Sequence, residues 1–211
     1  MRKILILIFM IAISATAYSQ DGMQTLFGDE GLKSGGYGGP ELKMTQAQGG
    51  TGLLVGGRGG WIINSTISVG GGGYGLVTEH PIENYFDVTS PYYGKDAYLR
   101  YGYGGFIVEY INNSNSLVHF TANMLIGGGG ASYTHSFNDI INHNDHDWRT
   151  LENTTFFVFE PAVMADINIT SFFRIGVGAS YRLVSGVELS QTTNEDIGGF
   201  SGNMIFKFGA F

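Results

Sequence analysis

The side chains with the plainest ligand chemistry fall in one polar stretch, FNDIINHNDHDW at residues 137–148. His143 and His146 stand three apart with Asp145 and Asp147 beside them, so imidazoles and carboxylates could close on zinc or a similar cation. The spacing fixes no complete ligand set, and a hydrated surface loop has the same composition. Two other groupings pair a hydroxyl with an imidazole, the start of a nucleophile and its base: His119 with Thr121, and Ser132 with His135. Neither lies in a nucleophile motif. The GGYGG and GGGG runs are followed by no GK[ST] and open no helix, so they do not cradle phosphate. No catalytic residue and no cofactor is expected.

The larger set is electrostatic. Glu41, Lys43, Arg58, Glu109, Glu160, Asp166, Arg174, Arg182 and Lys207 each lie opposite the apolar side of a segment that alternates with period two. Residues 157–169 show the pattern most cleanly. Phe157, Phe159, Pro161, Val163, Ala165, Ile167 and Ile169 share one face, and Glu160 and Asp166 share the other. Charges in such positions must pair with one another, because an unpaired charge removed from water is expensive.

Those positions require strands to hold them. Eight are expected, starting near residues 38, 51, 67, 97, 117, 154, 172 and 199. The 34 glycines argue against helix, since each would cost about 1 kcal/mol relative to alanine there. In the third and fourth strands the apolar residues change parity, from Ile67 and Val69 to Tyr74 and Leu76, and from Leu99, Tyr101 and Tyr103 to Phe106 and Val108. Both changes fall at glycine pairs, where a bulge would shift the register by one residue.

The connections run short, short, long, short, long, short, long. Tight turns are expected at Asn64, at Asn112–Asn115 and at Thr170; long loops at residues 79–96, 134–153 and 186–198. An even strand number with short turns on one side and long loops on the other is the pattern of an eight-stranded antiparallel up-and-down transmembrane β-barrel. Each expected strand supplies at least the roughly 9–11 residues a tilted crossing needs. Trp61, Tyr110, Phe172 and Phe173 border the short turns, as an aromatic girdle would. A lumen of eight strands is only just wide enough for its own side chains, so the nine charges would form a salt-bridged plug.

Residues 1–19 read as a secretory signal, with Arg2 and Lys3, an apolar run of about ten residues and Ala17-Tyr18-Ser19 before the cut near Ser19/Gln20. Residues 20–36 follow as a periplasmic segment, and 37–211 as the barrel. Cysteine is absent, which excludes disulfides, zinc-thiolate sites and a lipid-carrying cysteine. The net charge of −7, which becomes −9 without the two cations Arg2 and Lys3, argues against nucleic acid as a partner.

With the signal junction, GGYGGPELK, LVGGRGGWIIN, FFRIGVGASYR and the terminus FKFGAF, residues 36–211 resemble the small eight-stranded outer-membrane β-barrel proteins, especially those of Bacteroidota-type bacteria. The resemblance implies the outer membrane of a Gram-negative cell, with lipid and the barrel-insertion machinery as partners. It also implies that Phe211 serves as the assembly signal, although Met204, Phe206 and Phe208 are out of phase with it. The expected role is a non-enzymatic anchor acting through surface loops or stabilising the envelope. A narrow, porin-like pore and a lipid-modifying enzyme are the alternatives. The ligand of the external loops is not encoded in any motif.

Overall fold

The structure, a computed structural model, describes residues 33–83, 85–86, 97–137 and 147–211, with only the backbone of 136–137 and 147–149. The expected signal and most of the leader lie outside the described residues. So do His143, Asp145 and His146 of the candidate cation loop, and the side chain of Asp147.

The strands are β1 Ser34–Ala47, β2 Gly50–Ile63, β3 Ile67–Leu76, β4 His80–Ile82, β5 Ala97–Asn112, β6 Val118–Phe137, β7 Asp147–Asn168, β8 Phe173–Ser185 and β9 Gly199–Ala210. Every neighbouring pair is antiparallel. The order β3-β2-β1-β9-β8-β7-β6-β5 is closed by pairing of β3 with β5, from Ile67↔Tyr110 to Gly75↔Gly102. Short β4 continues the line of β3 along β5, so the wall is eight strands around. Closure leaves no row of unpaired backbone groups at an edge. No described helix is long and apolar enough to cross a membrane; the one-turn α1, Asn194–Ile197, lies between β8 and β9.

The glycine clusters of β2, β3, β5 and β6 stand side by side, with Gly59↔Gly71, Gly73↔Gly104 and Gly105↔Gly127 as partners. A Cβ on Gly70 would run into the carbonyl of Gly59, and one on Gly127 into the carbonyl of Gly104. The wall is bent there more tightly than side chains allow.

The expected bulges at the glycine pairs are not present. β3 and β5 run in unbroken register from end to end. Lumen-facing positions are even in β3 (Ser68, Tyr74, Leu76) and odd in β5 (Leu99, Tyr101, Tyr103, Ile107, Glu109), while Ile67, Phe106 and Tyr110 face outward. The apolar residues change face because the half of the lumen away from the turns at Asn64, Asn113 and Thr170 is filled by an aromatic and aliphatic core. The pleat itself never slips. A register shift does occur between Tyr133 and Thr134, where β6 meets β7.

Two boundaries also differ. β1 begins at Ser34, inside the segment expected to precede the barrel. β6 and β7 extend to Phe137 and Asp147, so much of the expected 134–153 loop is a projecting hairpin. In sequence the apolar residues of these extensions, Phe137, Trp148 and Leu151, stand among polar ones without the period-two alternation that marks a half-buried strand.

Candidate functional site in the lumen and at its two ends

All nine expected lumen charges are buried, from 0% exposure at Asp166 to 6% at Arg174. Eight of them, all but Arg174, form a connected column. Arg58 lies 3.2 Å from Glu41 and 3.4 Å from Glu109. Lys207 spans Glu109 at 3.0 Å and Asp166 at 2.8 Å, and His119 Nε2 stands 3.9 Å from Asp166. Nearer the outer end, Lys43 meets Glu160 at 2.6 Å, with Arg182 3.9 Å from the same carboxylate. Tyr74 joins the two groups: its hydroxyl donates to Glu41 at 2.6 Å, and Lys43 Nζ sits 3.6 Å from its ring centroid. Nε and Nη2 of Arg58 have no hydrogen-bond partner in the described structure, so charge attraction rather than directed bonding holds that side chain.

Tyrosines complete the column without being marked by any sequence pattern. Tyr103 donates to Glu160 at 2.5 Å and accepts from Arg182 at 3.0 Å; Tyr37 donates to Glu109 at 3.4 Å. Hydrophobic parity placed such aromatics on the outer face. Counting parity from Glu109, a charge that must face inward, would have put Tyr101 and Tyr103 in the lumen.

Arg174 behaves differently from the other cations. It donates to the carbonyl and hydroxyl of Ser114 at 3.3 and 3.0 Å and lies 3.8 Å from the ring centroid of Phe211. Phe211 in turn stacks on Tyr37, so the last side chain turns toward the lumen mouth at the tight turns while Phe208 faces outward on Phe173. Trp61, Tyr110 and Phe172 are 47%, 53% and 59% exposed on the outer wall, and Phe173 is half-buried.

The 186–198 segment folds across the opposite mouth. Ile197 is fully buried in the outer core and its carbonyl accepts from Arg182 Nε at 2.8 Å. Thr192 bonds Tyr133 at 2.6 Å and receives Gln48 Nε2 of the β1–β2 turn at 2.9 Å. Glu152 accepts from the Ser190 amide at 3.0 Å, the Ser190 hydroxyl at 2.9 Å and Tyr85 at 2.9 Å. Burial alone would raise the Glu152 carboxyl, but these hydrogen bonds outweigh it and hold the group below the usual carboxylate range. Burial, then the bond to Glu152, pushes Tyr85 up to about 12.

The hydroxyl–imidazole groupings do not assemble. Thr121 Oγ1 has no hydrogen-bond partner in the described structure, although His119 is buried on the same wall. His135 is buried against the Phe86 ring, whereas Ser132 is half-buried on the other side of the wall, before the shift at Tyr133/Thr134. A polar hydroxyl without a base beside it is not an activated nucleophile.

No protein-family profile matches the chain, and no curated protein matches it. Among solved structures it is similar to Neisserial surface protein A, at 12% identity over 86% of this chain and 99% of that one, with a TM-score of 0.49. It is also similar to Ail, the attachment invasion locus protein of Yersinia pestis, at 14% identity over 85% and 99%, with a TM-score of 0.43. The barrel assignment rests on the closed strand pairing above.

Proposed function

We propose that this chain is an integral outer-membrane protein of a Gram-negative bacterium: a sealed, non-enzymatic barrel that carries external loops and braces the envelope. One observation carries the reading. The wall is inverted relative to a soluble barrel, with ion pairs inside and large apolar side chains outside. Met44, Phe120, Val163 and Phe200 are 63%, 66%, 64% and 73% exposed. Soluble proteins rarely leave contiguous apolar surface of more than a few hundred Å² open to water, whereas lipid solvates it. The strand ends agree, with tight turns at Asn64, Asn113 and Thr170 on one side and the long connections on the other.

In this reading the export signal is cut near Ser19/Gln20, the tight turns and both termini face the periplasm, and lipid and the insertion machinery are the partners. Kinship with Bacteroidota-type barrels is part of the same reading. The lumen column and the 186–198 cap favour an anchor over a narrow pore, since an ion would have to displace pairs as close as 2.6 Å. Fractionation tests the placement. The protein should partition with outer membranes and migrate differently on a gel before and after boiling; recovery in the soluble periplasm without a mobility shift would overturn it.

A further inference from the structure

The inner rim holds a cleft that the lumen column does not explain. The β2–β3 turn (64–66) and the β5–β6 turn (113–116) are brought together by pairing of β3 with β5, and the Ile111 amide donates to the Thr66 carbonyl at 2.6 Å. Between them lies an open cleft of about 360 Å³ lined, among the described residues, by Asn, Ser and Thr, within the roughly 300–1,000 Å³ of small-ligand sites. Asn64, Ser65 and Asn113 have φ of 51°, 54° and 52°, the left-handed backbone that tight hairpin turns demand and that Asn adopts more readily than most residues.

The donors and acceptors are already oriented. Ser114 is 6% exposed and its oxygen accepts from Arg174, which leaves its O–H to donate. Asn64 Oδ1 accepts from the Lys33 amide at 3.1 Å, which leaves its Nδ2 to donate. Asn168 donates to the carbonyls of Ser114 and Ser116 at 2.9 and 2.8 Å and fixes the second turn from behind. Amides and hydroxyls without a lining charge match a ligand that is itself uncharged and carries both hydroxyls and amides.

We infer that this cleft binds a neutral, acetamide-bearing glycan, the chemistry of a cell-wall sugar strand. The inference rests on the membrane reading for the side of the membrane it faces. The cleft would tie the barrel to the wall beneath it, which gives the envelope-bracing role a physical contact.

The test is calorimetric titration of the folded barrel in nanodiscs with chitotetraose, using cellotetraose, which has the same linkage without acetamides, as the control. Saturable binding of chitotetraose, with cellotetraose about tenfold weaker or more, is expected. The triple change Ser65→Gly, Asn113→Gly and Asn115→Ala keeps residues that tolerate the turn backbone and should weaken binding by about tenfold or more. The heat-dependent gel shift reports whether it folds, and Asn115→Ala alone serves if the triple variant does not. Absence of binding by the unaltered protein, equal affinity for the two sugars, or unchanged affinity in the folded variants would overturn the proposal. The same gel shift fails separately if the membrane reading is wrong.

Discussion

Lys43 Nζ lies 2.6 Å from Glu160 Oε1, with 4% and 2% of the two side chains exposed. Tyr103 and Ser180 donate to the same carboxylate at 2.5 and 2.7 Å. Removing one member strands the other charge, which costs about 3–5 kcal/mol at a buried pair. Glu160→Gln and Lys43→Met should therefore each lower unfolding stability by about that much, and the double variant should lose less than the two losses combined. Denaturant unfolding of the four proteins in lipid vesicles measures this; additive losses would show that the pair is not coupled.

The glycine band makes a second prediction. At Gly70 a side chain meets the carbonyl of Gly59, while at Gly202 nothing lies within 4 Å of where a Cβ would sit. Gly70→Ala should destabilise the barrel by about 1–3 kcal/mol, the range of overpacking, and Gly202→Ala should be nearly neutral. Refolding yield, read by the gel shift, ranks the two; the reverse ranking would show that the glycines do not set the curvature.

The face alternation of β1, β7, β8 and β9 was legible in the sequence because apolar residues of the outer wall alternate there with charged residues of the lumen. Phe157 and Val163 against Glu160 and Asp166 carry that information unaided. It failed in β3 and β5, where Tyr74 and Tyr103 fill the lumen and hydrophobicity no longer distinguishes inside from outside. The inner cleft was legible only as two turns. That Asn64 and Asn113 lie beside each other depends on barrel closure, which pairs strands far apart in the chain. The cap was equally hidden, since Thr192 and Tyr133 meet only in three dimensions.

The cap should respond to acid. Glu152 lies beyond the apolar belt and its folded carboxyl is held below the ordinary value. Its hydrogen bonds then contribute fully above the unfolded carboxyl value of about 4.3, and the contribution is lost as pH falls through the lower folded value. The protection factor of the Ser190 amide, its exchange rate divided into the intrinsic rate at the same pH, should fall on acidification below that point, and Glu152→Gln should remove most of that change. A protection factor that stays constant across the range would show that Glu152 does not fasten the cap.

The proposed seal is the column from Arg182 to Asp166 across the lumen of a membrane-inserted barrel. Planar-bilayer recording of protein whose insertion is verified by protease protection tests both halves at once. A sealed lumen gives a quiet baseline, with no steady unitary openings. Steady unitary openings from the unaltered protein would contradict it.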